Sequence, residues 1–154
     1  MKVAIFGGSG KTGHHLIQQA LDAGLQVVAL VRTPVKLNLQ HPNLRVIQGS
    51  ILEAASVSST IQGTELVISV LGPSSNKPEF AISRGMDNIL AAMQTHSVRR
   101  IIISAGAGVR EADDRPKSVD RFFGLLLGIV SKNVVADMQQ VVHKVKASDR
   151  DWTV

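Results

Sequence analysis

Apolar residues along this chain come in short unbroken runs that alternate with longer stretches of helical rhythm. Val3, Ala4, Ile5 and Phe6 form the first run, with none of the polar alternation of a half-exposed strand. Such a run predicts a strand buried on both faces of a parallel sheet. Residues 14–24, HHLIQQALDAG, set Leu16, Ile17, Ala20 and Leu21 at helical spacing and close on a glycine, as a helix C-terminus does. QVVALV over Gln26–Val31 predicts a second buried strand, and LRVIQ over Leu44–Gln48 a third, after the turn residues His41, Pro42 and Asn43. A short helix is expected over residues 52–61 and a fourth strand over 65–71, closed by Gly72 and Pro73 and followed by a polar loop at 74–77. Residues 80–95 carry Ile82, Met86, Ile89, Leu90 and Met93 on one helical face. Ile101, Ile102 and Ile103 give a fifth strand. A helix over 132–148 ends near Lys144 and Lys146, cations that suit its C-terminal dipole.

Between the first strand and the first helix stand Gly7, Gly10 and Gly13, spaced G-x-x-G-x-x-G. Strand, tight glycine turn and helix, in that order, make a phosphate site. The turn needs a residue without Cβ, a pyrophosphate must approach bare backbone, and the helix N-terminus offers unpaired N–H groups and a positive dipole end. Ser9, Lys11 and Thr12 would line it. Arg32 directly follows the second strand, about 20 residues beyond the turn, where such folds hold an acid for a ribose 2′-hydroxyl or an arginine for a 2′-phosphate. A carboxylate there would repel a phosphate, whereas a guanidinium grips it with two bonds. NADP(H) is therefore expected over NAD(H). Lys36, four residues on, is either a second phosphate ligand or a solvated loop lysine. The alternating elements and this turn predict a Rossmann-like α/β fold: a doubly wound parallel sheet in three αβα layers, as a single domain over residues 1–154.

Composition narrows the chemistry. The chain has 154 residues, 44% of them hydrophobic, which is enough for a core. There is no Cys, hence no disulfide, thiol nucleophile or thiolate metal site, and no metal-ligand spacing is present. The formal charge is +5, but the basic residues are scattered and aromatics make up only 3%, which argues against nucleic acid. No apolar run reaches the length of a membrane span, and the first residues enter a strand at once, so a cytoplasmic protein is expected. FFGLLLGIV, residues 122–130, is the most apolar run; it predicts a buried helix, or the wall of a substrate pocket or a dimer face.

The spacing of Gly7, Gly10 and Gly13 in IFGGSGKTG, followed by VVALVR, resembles the NmrA-like group of atypical short-chain dehydrogenase/reductases, which includes the biliverdin-IXβ and flavin reductases. DRDWTV, residues 149–154, resembles the start of that family's sixth strand, and the resemblance implies a family chain that continues beyond it, so a C-terminal truncation is expected. It implies that Arg32 and Lys36 clamp the 2′-phosphate. Ser50 and Ile51 would lie near the adenine, Ser50 standing where the family usually has Asp. Leu71, Gly72 and Pro73 would pass close to the ribose and pyrophosphate. Ser104 would lie above the nicotinamide, although Ala105 and Gly106 replace residues the family uses there. His143 falls one residue from a substrate-side His of the flavin reductases, a displacement of about 100° around a helix.

Short-chain dehydrogenases normally take a proton from a Tyr, and this chain has no Tyr. Ser104 and His143 are left as weak catalytic candidates. Hydride transfer to a flavin, a quinone-like compound or another aromatic acceptor needs little acid–base help, because the cofactor carries the chemistry. The expected function is thus an NAD(P)H-dependent oxidoreductase; the alternative is an NADP(H)-sensing regulatory protein without turnover.

Overall fold

Five strands and four α-helices follow one another, and a sixth strand closes the chain, in a computed structural model that describes residues 1–72, 76, 78–105 and 132–154. They are β1 (Lys2–Phe6), α1 (Lys11–Asp22), β2 (Gln26–Val31), a single 3-10 turn (Pro34–Lys36), β3 (Leu44–Gln48), α2 (Ala54–Ile61), β4 (Leu66–Ser69), α3 (Ala81–Thr95), β5 (Arg100–Ile103), α4 (Lys132–Ala147) and β6 (Asp151–Thr153). The strands form one parallel sheet in the order β3-β2-β1-β4-β5-β6. This is the doubly wound order expected from the sequence.

The unbroken apolar runs are explained by burial on both faces. Ala4 and Phe6 point to a core shared with Val57 and Ile61 of α2, Met86, Ile89 and Met93 of α3, and Met138, Val141 and Val145 of α4. Val3 and Ile5 point the other way, to Ile17, Ala20 and Leu21 of α1 and to Leu37. Successive strand side chains alternate between faces, so both sets must be apolar. Among the described residues, α2, α3 and α4 cover one face and α1 with the Leu37 segment covers the other.

Two helices start later than their apolar rhythm suggests. Before α2, the Glu53 amide donates to the Ser50 carbonyl at 3.0 Å and the Leu52 amide to Ser50 Oγ at 3.2 Å, a turn that delays the helix to Ala54. Phe80 is left-handed (φ 46°), so it precedes α3 rather than opening it. Helix ends are also informative. Gly24 (φ 75°) ends α1, its amide donating to Leu21 O at 2.9 Å while Leu25 donates to Ala20 O at 2.9 Å. Ser97 (φ 57°) ends α3 with the same pair of bonds, Ser97 to Gln94 O at 3.3 Å and Val98 to Met93 O at 2.9 Å.

Candidate functional site

The chain leaves β1 for β2 on one side of it and later returns to β4 on the other. The carboxyl ends of β1 and β4 therefore border the switch point of the sheet, the crevice where such folds take ligands. Gly7 stands at the end of β1 with φ 90°. A Cβ there would lie 2.8 Å from the carbonyl carbon and oxygen of Val70, so the turn rests directly on the backbone leaving β4. The Gly10 amide donates to Gly7 O at 3.1 Å and closes the turn. A Cβ on Gly13 would overlap that same carbonyl. Each of the three spaced glycines thus has a separate duty: one turns the chain, one opens the helix, and one lets the helix pack on the turn.

The start of α1 is built to meet an anion. Gly10 precedes the helix and has no side chain to cap it, and its first turn holds no acid. Ser9, Gly10, Lys11 and Thr12 are exposed. The first amides of any helix lack intrahelical acceptors, so here they face outward with the dipole's positive end. Two of the helices across the sheet, α3 and α4, differ. Asp137 Oδ1 and Oδ2 accept the Ser83 and Ile82 amides at 2.8 and 3.1 Å at the start of α3. Asn76 Oδ1 accepts the Asn133 amide at 3.0 Å at the start of α4. A cradle that a Cβ would fill, an open backbone and a free helix end together fit a pyrophosphate.

Arg32 follows β2 immediately and is exposed, as is Lys36 at the end of the 3-10 turn. The neighbouring loop is pinned. The Gly49 amide donates to Val31 O at 3.0 Å, Asn88 Nδ2 donates to Ile51 O at 2.8 Å, and the Ile51 side chain fills the space over Gly85. Ser50 Oγ accepts the Leu52 amide, and its own amide donates to Glu53 Oε2 at 3.3 Å. Leu71 is half-buried, and a Cβ on Gly72 would meet nothing within 4 Å. The Ser104 amide donates to Ser69 O at 3.0 Å, which holds its exposed side chain at the carboxyl edge. Gly7 to Gly13, Arg32, Ser50, Ile51, Leu71, Gly72 and Ser104 thus share one edge of the sheet.

His143 does not join them. Its helix runs back from the carboxyl edge, and eleven residues at 1.5 Å each put it roughly 16 Å below the start of α4. It is exposed there, beside a shallow recess of about 480 Å³ lined by Ala136, Gln139, Gln140, His143 and Lys144. Pro73, Gly106 and the apolar run 122–130 lie outside the described residues. Among the described residues no helix is long and apolar enough to cross a membrane. Sequence reasoning missed Asn88, Asn76 and Asp137. The one available signal is a polar residue within an apolar stretch: Asn88 beside Ile89, and Asp137 between Ala136 and Met138.

A family model described as NAD(P)H-binding matches residues 7–154. The chain belongs to the NAD(P)H-binding family. Within the curated relatives, the oxidoreductase aflX of Aspergillus parasiticus is 26% identical over 167 aligned positions, covering 98% of this chain and 61% of that protein. Among solved structures, a short-chain dehydrogenase/reductase of Veillonella parvula in complex with NADP superposes with a TM-score of 0.78 at 17% identity, over 99% of this chain and 66% of that one. ChuY, an anaerobilin reductase of Escherichia coli O157:H7, gives 0.73 at 16% identity, over 99% and 70%. These structural likenesses show the shared fold. The chain spans about three-fifths of the length of aflX.

Proposed function

We propose that this chain binds NADP(H) in preference to NAD(H) and serves an oxidoreductase that passes hydride to an aromatic acceptor such as a flavin or a quinone-like compound. The observation that carries the reading is the pairing of an uncapped α1 N-terminus, opened by Gly7, Gly10 and Gly13, with an exposed Arg32 at the end of the adjacent strand. The amides at the start of α1 hold the pyrophosphate, with Ser9, Lys11 and Thr12 around it. Arg32, assisted by Lys36, holds the 2′-phosphate through charge-assisted bonds. Ser50 and Ile51 border the adenine, Leu71 and Gly72 border the ribose, and Ser104 borders the nicotinamide. The bound dinucleotide supplies the hydride, and the chain supplies orientation and a fixed edge on which an acceptor stacks. The names of relatives support the redox reading: aflX is an oxidoreductase, and a maize relative 28% identical over 134 positions is a dihydroflavonol 4-reductase.

A second reading is supported by a single observation: the chain contains no Tyr or Cys to act as a proton donor or nucleophile. In that reading the chain senses NADP(H) without turnover. Steady-state NADPH oxidation with flavin and quinone acceptors separates the two. Acceptor-dependent oxidation supports the oxidoreductase, and tight binding with none supports the sensor.

A further inference from the structure

Side-chain ties from α4 run to the first turns of α3 and, through Asn76, to the connection that precedes it; none of them touches the glycine turn. Asp137, buried at 4% exposure in the middle of α4, sends both carboxylate oxygens to the start of a different helix. It accepts the amides of Ile82 and Ser83, the second and third positions of α3, so it fills the place that a local capping side chain would take. Phe80, which precedes the helix, has no side chain able to cap and is left-handed instead. Ser83 Oγ donates to Phe80 O at 3.1 Å and lies 3.2 Å from Gln140 Oε1. Lys144 Nζ donates to Ser83 O at 3.1 Å and to Asp87 Oδ2 at 2.5 Å. The exchange is reciprocal: Asn76, on the β4–α3 connection, caps α4 by accepting the Asn133 and Val134 amides, while Asn133 Nδ2 donates back to Asn76 O at 2.7 Å.

The same connection begins where Val70 and Leu71 carry the Gly7 turn. Its near end therefore bears on the turn, and its far end is held by α4. We propose that Asp137 is a positioning residue for the dinucleotide site: by fixing the start of α3 from α4 it sets where Leu71 and Gly72 would lie against a bound dinucleotide. This rests on the nucleotide-binding reading above. It differs from a role in mere stability, because it requires affinity to change in molecules that remain folded. It differs from phosphate recognition, because it requires NADPH and NADH to be affected alike.

The test is titration of NADPH and NADH into the full chain by cofactor fluorescence, well below the melting temperature, with circular dichroism confirming the folded state. Asp137→Ala is expected to raise both dissociation constants about tenfold and leave their ratio unchanged. Formate, which can refill the vacated carboxylate site, is expected to restore most of the loss. Asn76→Ala, at the exposed end of the same exchange, is expected to raise both about threefold, and it decides the matter if the Asp137 variant fails to fold. Unchanged constants in the folded variant, even with a lowered melting temperature, overturn the proposal. A wild-type chain that binds neither nucleotide overturns the nucleotide-binding reading and this one with it, whereas wild-type binding with indifferent variants overturns this one alone.

Discussion

Gly13, in the first turn of α1, packs on the carbonyl of Gly7 with no space between them for a Cβ. That contact brings the helix end down onto the turn and points its amides at the crevice between β1 and β4. Gly13→Ala must therefore separate helix from turn. Overpacking of this kind costs about 1–3 kcal/mol. The expected outcome is a lower melting temperature and a loss of NADPH affinity of more than about tenfold, measured on the fraction still folded at low temperature. An alanine variant that binds NADPH normally would mean that the helix end does not contact the nucleotide.

Arg32, exposed directly after β2, is the residue proposed to hold the 2′-phosphate. A hydrogen bond to a charged group contributes about 1.5–3 kcal/mol. Arg32→Ala is expected to weaken NADPH by roughly tenfold to a hundredfold and NADH by less than about twofold. Titration of both nucleotides measures the ratio. Because Arg32 is exposed, the advantage of NADPH over NADH should also shrink as salt is raised from 0.05 to 0.5 M. Equal losses for both nucleotides would remove Arg32 from phosphate recognition.

Ser97 and Gly24 end their helices with the same hydrogen bonds, yet only Gly24 is suited to a positive φ. A left-handed residue with a Cβ costs about 1–2 kcal/mol, and the added chain entropy of glycine returns part of that. Ser97 is exposed and far from the carboxyl edge. Ser97→Gly is expected to stabilise the chain by about 0.5–1 kcal/mol, seen as a rise of roughly 1–4 °C in Tm, with nucleotide affinity unchanged.

The inner strands were legible because they are apolar on both faces, a pattern that a covered parallel sheet requires, whereas β6, exposed throughout, was legible only through a resemblance. β1 and β2 carry it without a break, and their ladders pair Val3 with Val27 and Phe6 with Leu30. The glycine turn was legible because its spacing encodes backbone contacts that any side chain would block. The ends of α2 and α3 were not, since a turn at Ser50 and a left-handed Phe80 depend on hydrogen bonds rather than on apolar rhythm. Asp137 was illegible for a related reason. Its partners, Ile82 and Ser83, lie 55 and 54 residues away, and a cap supplied by another helix leaves no local motif. His143 shows the opposite case: its residue type suits proton transfer, but α4 carries it away from the edge where Ser104 lies.

The open end of α1 is proposed to hold the pyrophosphate of NADP(H). A crystal structure of this chain grown with NADPH tests it most directly. Pyrophosphate density is expected within hydrogen-bond distance of the amides between Gly10 and Gly13, with a 2′-phosphate beside Arg32. Nucleotide density at any other surface of the sheet, with the Gly7 turn empty, would contradict it.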